Sequence, residues 1–181
     1  MTPHATALGA GLLVARVVVG LAMSAHGAQK LLGWFGGYGL AATGAVFEQL
    51  GFRPGRVFVA FASLAEILAG LLIALGLLGP VGPALMLSVM IVAAVTVHWG
   101  KGFFATTNGI ELPLLYATVG VALALIGPGP YSLDALLGLE ELWSPAFAVA
   151  ALVVGVIGGI GNLAVRRRGA ATGNAQPGGQ R

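Results

Sequence analysis

The sequence contains no cysteine among its 181 residues. That excludes disulfide bonds, a thiol nucleophile and cysteine-held zinc or iron–sulfur clusters. Charge is almost as scarce. Asp, Glu, Lys and Arg make up 8% of the chain, against about 25% in a soluble domain. What fills the gap is apolar: 57% of residues are hydrophobic and the mean hydropathy is +0.94. A water-exposed globule of this composition would be insoluble, so the chain is read as an all-α integral membrane helical bundle in contact with a lipid bilayer. The basic balance rests on a handful of residues, and no nucleic-acid partner is expected. The 30 glycines, which in water would suggest disorder, suggest close helix packing in lipid.

Five apolar runs follow one another. The first, Leu8 to Leu32, carries Arg16 inside it and closes with His26 and Lys30 before a glycine-aromatic exit, Gly33 to Gly39. It has no basic leader, and Arg16 falls where a signal peptide would be most apolar, so it is read as a retained span. The second run is Val57 to Leu78, interrupted only by Ser63 and Glu66. Helix breakers at Gly79 to Pro83 force an immediate return through the third, Val81 to Val97. A polar, aromatic loop from His98 to Gly109 leads to the short fourth run, Ile110 to Ile126, with Pro113 in its first turn. Leu133 to Trp143 has apolar residues at helical spacing with Asp134, Glu140 and Glu141 opposite. It reads as an interfacial amphipathic helix capped by Ser132. Ser144-Pro145 starts the fifth run, Pro145 to Val165, whose Gly155, Gly158 and Gly159 offer a packing face. The tail, residues 166–181, is basic and then Gly/Gln-rich, and is read as disordered and cytoplasmic.

Five spans place the loops on alternating sides. Lys30, Arg53, Arg56, Lys101 and Arg166 to Arg168 fall on one side, and no Lys or Arg falls in the loops of the other. The positive-inside rule then puts the N-terminus outside and the C-terminus in the cytoplasm, in a plasma (inner) membrane.

Arg16 needs a partner, because a mid-membrane arginine costs at least a few kcal/mol. Measured from His26 and from Val57, Arg16 and Glu66 lie at similar depths, so a buried Arg16–Glu66 ion pair is expected. It could serve only to fix helix register, or it could floor a polar cavity. Above it the remaining polar groups collect at one level: His26, Lys30, Thr96, His98, Lys101 and Glu111. Such a set could bind a small anion or a quinone headgroup, with His26 and His98 handling protons and Lys30, Thr96, Lys101 and Glu111 contacting the ligand. Trp34, Tyr38, Trp99, Phe103 and Phe104 read as an interfacial aromatic belt. Haem is disfavoured, because both histidines end helices, and no metal site is expected. The pattern of histidine, lysine and glycine-aromatic exit recurs after the first and third spans. A carboxylate follows in the next span each time, which suggests two parallel repeats.

Arg16, HGAQKLLGWFGG (His26 to Gly37), Phe47-Glu48-x-Leu50-Gly51, Glu66 with Gly70, TVHWGKGFF (Thr96 to Phe104), Asn108-Gly109-x-Glu111 and GPGPYSLD (Gly127 to Asp134) together resemble the DoxX family of small bacterial four-helix membrane proteins. The resemblance covers residues 8–138, leaving the fifth helix, 145–165, and the tail as additions. The family takes its name from a subunit of a thiosulfate:quinone oxidoreductase, and a mycobacterial relative is linked to a membrane complex with superoxide dismutase and a sulfurtransferase. The resemblance therefore implies a redox-associated, quinone-linked membrane subunit. If enzymatic, it would be an oxidoreductase subunit needing a cofactor or a soluble redox partner, since no side chain here carries electrons alone. Two other readings stand beside it: a small metabolite permease, which at this size would need a homodimer, and a structural adaptor that recruits soluble enzymes.

Overall fold

The computed structural model describes residues 2–167. All regular structure among them is helical. The tail beyond residue 167, including Arg168, lies outside the described residues. Helix α1 spans Pro3–Leu32, starting at a Thr2 cap and stopping at Gly33 in the left-handed conformation. A short helix α2, Gly39–Gln49, occupies what the sequence reading left as a loop. Helix α3 is Gly55–Leu75, and α4 is Val81–Ala93, prolonged by a π-helical turn over Ala94–His98. Helix α5 is Glu111–Ile126, α6 is only Leu133–Leu137, and α7 is Pro145–Ala164. Among the described residues four helices are long and apolar enough to cross a membrane: α1, α3, α4 with its π turn, and α7; the apolar α5 is shorter. The protein is a multi-pass membrane protein.

Small residues set the packing. A Cβ on Gly20 of α1 would collide with the Gly70 carbonyl and Ala74 of α3, and one on Gly27 would collide with the Ser63 carbonyl. The two helices therefore run antiparallel at backbone contact, an approach only glycine permits. Helix α5 returns alongside α4, with Gly120 against Met86 and Pro83. Helix α7 runs parallel to α4, Gly155 lying on the Ala84 carbonyl and Gly159 beside Ser88 and Ile91. Its glycine face is thus the packing face the sequence suggests. Between the helices sits a core of Met23, Ala69, Ile73, Met86, Met90 and Leu123. Outward, Val14, Val18 and Leu21, Leu64 and Leu68, and Val153, Ile157 and Ile160 are exposed, forming the surface that meets lipid.

Two further contacts tie the ends together. After α7, Arg166 donates its Nε–H to the Leu50 carbonyl, and the Arg167 amide donates to the Gly51 carbonyl at 2.9 Å. At the opposite end, the segment between α5 and α7 departs from the expected amphipathic helix. Helix α6 stops at Gly138, which adopts φ 68°, and a separate 3₁₀ turn covers Glu140–Leu142. Asp134 is not on a water-facing side but fully buried.

Candidate functional site: a buried lysine–glutamate pair on a phenylalanine-lined cavity

The helix register decides which charges meet. Gly20 lies beside Gly70, and Gly27 beside Ser63 and Glu66. Glu66 is therefore level with Gly27, about 16 Å along the axis of α1 from Arg16 at helical rise. The expected Arg16–Glu66 pair does not form. Depth counted from His26 misplaces Arg16, because α1 starts at Pro3 and runs on to Leu32. Glu66 instead pairs with Lys30, one turn beyond Gly27, through a short Nζ–Oε1 contact. Glu66 is 1% exposed and the Lys30 side chain 32%. The pair thus has one dry end and one near the surface. Glu66 Oε2 and the neighbouring Ser63 hydroxyl are buried with no hydrogen-bond partner among the described residues.

This pair borders a cavity of about 340 Å³. Phe47 of α2, Phe52 of the following loop, and Phe58 and Phe61 of α3 line one side. Val89, Val92, Thr96 and Val97 of α4 and its π turn line another, and Asn162 of α7 closes it. The π turn is a common device at functional sites, and it is this stretch that presents Thr96 and Val97. Helices α3 and α7 both pack on α4 but not along each other, so the cavity lies in the lipid-facing cleft between them. The Leu50–Arg166 and Gly51–Arg167 bonds close the cleft at the end where α3 begins. The site is thus amphipathic: an aromatic and aliphatic interior, a buried carboxylate, one ammonium at the rim, and the hydroxyls of Ser88 and Thr96.

The rest of the expected polar layer is dispersed. His26 is exposed and packs edge-on against Tyr116, ring centroids 5.8 Å apart. His98 turns its Nδ1 to the Asn108 carbonyl at 2.8 Å, and Glu111 accepts the Ala105 amide at 2.7 Å, so both shape the α4–α5 loop. Lys101 is exposed, and its carbonyl accepts the Thr107 hydroxyl at 2.7 Å. None of these four lines the cavity; of the expected set only Lys30, Thr96 and Glu66 do. The suggested repeat fails at the same point, since Glu111 binds a backbone amide where Glu66 meets a lysine. Among the described residues no three metal-ligating side chains cluster. The four phenylalanines were missed by sequence reasoning. Phe47 stands within a segment read as loop, and Phe58 and Phe61 fall within an apolar run where nothing sets them apart.

Arg16 has a different environment, at the end where α3 meets α4. It is 3% exposed and donates from Nη2 to the Tyr131 carbonyl at 2.6 Å. Its Nε and Nη1 have no hydrogen-bond partner among the described residues, and the Asp134 carboxylate acts on it electrostatically without a direct ion pair. Asp134 accepts the amides of Leu78 and Gly79 at 2.9 and 2.7 Å and the Trp143 indole N–H at 2.8 Å. Leu78 and Gly79 have φ of 58° and 48°, so the carboxylate stabilises a left-handed turn between α3 and α4. Glycine at position 76 is required, because a Cβ there would collide with the Arg16 guanidinium. Arg16 and Asp134 form a structural clasp over the end of the bundle, separated from the cavity by the methionine core.

Residues 11–99 match the family described as DoxX. Through that region the chain belongs to the DoxX family. The match runs from within α1 to the end of the π turn, so it takes in every cavity-lining residue except Asn162. Helices α5 to α7 lie beyond it. No curated protein and no solved structure matches the chain.

Proposed function

We propose that this DoxX-family protein is a redox-associated subunit of the bacterial plasma membrane, and that its cavity receives the ring of a lipid-soluble quinone. The carrying observation is the buried Lys30–Glu66 pair set on a phenylalanine-lined cavity in a lipid-facing cleft. A ring would stack against Phe58 and Phe61 while its polar substituents reach Lys30 and Glu66. The volume suits one substituted ring rather than a folded isoprenoid tail, which would extend into the bilayer. In this reading proton handling belongs to Lys30 and Glu66, while His26 packs on Tyr116 of α5 and His98 serves the α4–α5 loop. Electrons require a soluble redox partner or a cofactor, which would dock on the end carrying Lys101, Arg53 and Arg56. The positive-inside rule makes that end cytoplasmic. A permease needs a polar path through the bundle. The packed Met23–Met86–Met90 core between the cavity and Arg16 weighs against one.

The experiment is lipid extraction and absorbance spectroscopy on gently purified protein. A co-purifying quinone, lost from a Phe58→Ala/Phe61→Ala variant and retained by His98→Ala, supports the reading. Its absence, together with failure of an added short-chain quinone in either redox state to bind, overturns it.

A further inference from the structure

We infer that the cavity selects the hydroxyl-bearing, reduced form of its ring ligand over the carbonyl-bearing oxidised form. The inference rests on the proposed quinone reading and goes beyond it by assigning which redox state is held.

Hydrogen-bonding capacity is left over among the residues around the cavity. Glu66 uses Oε1 on Lys30, while Oε2, in a side chain 1% exposed, has no partner among the described residues. An ionised carboxylate oxygen can only accept. Thr96 spends its hydroxyl proton on the Val92 carbonyl at 2.8 Å, which leaves its oxygen lone pairs. Asn162 spends one amide N–H on the Gly158 carbonyl at 3.1 Å, which leaves its own carbonyl oxygen and one N–H. Ser88 can act either way. The strong donor is the Lys30 ammonium, already committed in part to Glu66 and placed at the rim. With Glu66 the buried one among them, the polar groups around the cavity are therefore weighted towards acceptors.

A ligand hydroxyl can donate to Glu66 Oε2 and relieve a buried, unpaired acceptor. A ligand carbonyl in the same place would set oxygen against oxygen and leave both unsatisfied, the more expensive arrangement in a dry site. A hydrogen bond to a charged acceptor of this kind corresponds to roughly tenfold or more in affinity. The ring's second oxygen can meet Lys30 in either form, so Lys30 aids binding without discriminating.

The test compares three probes on the full-length protein in detergent under anaerobic conditions: a short-chain benzoquinone, its hydroquinone and the hydroquinone dimethyl ether. Affinity is read by isothermal titration. The expected order is the hydroquinone about tenfold or more tighter than both the quinone and the ether. Glu66→Gln replaces the acceptor-only carboxylate with an amide that also donates, and should reduce the preference to about twofold or less while binding persists. Should that variant not fold, Thr96→Val, which removes a lesser acceptor, is expected to narrow the preference without abolishing it. Equal affinity for quinone and hydroquinone, or an ether that binds as tightly as the hydroquinone, overturns the redox selectivity and leaves the quinone reading standing. Binding of none of the three overturns both.

Discussion

Glu66 is the residue on which the site turns, because its two oxygens have different fates: one meets Lys30 and the other is buried with no hydrogen-bond partner among the described residues. Removing one member of a buried pair strands the other, at a cost of about 3–5 kcal/mol. Lys30→Ala should approach the lower end of that range, because the lysine is part-exposed, and Lys30→Ala/Glu66→Leu should regain most of the loss. Thermal unfolding in detergent of the singles and the double measures this; a double variant no more stable than Lys30→Ala would refute the coupling. Asp134 offers a second test. Asp134→Asn weakens three hydrogen bonds and leaves Arg16 without its counter-charge, so a loss of at least about 2 kcal/mol is expected by the same assay. At this scale the sequence showed which residues were out of place in lipid, but not which ones met. Arg16 visibly needed a partner. That it would bond the Tyr131 carbonyl, over a hundred residues away, with the Asp134 carboxylate buried nearby in a segment read as water-facing, depended on Gly138 ending α6 after a single turn.

At the scale of the helices, glycine sets distance and register. Gly20, Gly27 and Gly70 bring α1 and α3 to backbone contact, and that register puts Lys30 beside Glu66. Gly70→Val should force the helices apart by overpacking, costing about 1–3 kcal/mol or more. It should also move position 30 away from position 66. Double-cysteine crosslinking between positions 30 and 66 reads this, since the natural chain has no cysteine to interfere; undiminished crosslinking would count against the register argument. The five apolar stretches, four of them long, were legible because in lipid a helix must satisfy its own backbone, and Ser144-Pro145 and Ser132 cap helices as their chemistry suggests. Helix α2 was not legible. Its glycine-rich start and the absence of a capping side chain leave no local signal, and it is held by tertiary packing on α3.

For the whole molecule, topology follows from where the cations sit. Single cysteines at Thr6 and Leu137 should react with a membrane-impermeant maleimide on intact cells. One at Ala105 should react only after permeabilisation. The reverse pattern would invert the orientation and move the cavity's closed end to the outer side. The phenylalanine-lined cavity joins residues from α1, α2, α3, α4 and α7, a convergence that no single stretch of sequence displays. Its central claim is that a lipid-soluble ring enters beside Lys30 and Glu66. The most direct measurement is photolabelling of membranes with an azido short-chain quinone, followed by peptide mapping. Adducts confined to the segments around Phe47, Phe58–Phe61 and Val92–Val97, and suppressed by excess unlabelled ligand, are predicted. Labelling spread over the outer faces of α1 and α7, indifferent to competitor, would contradict it.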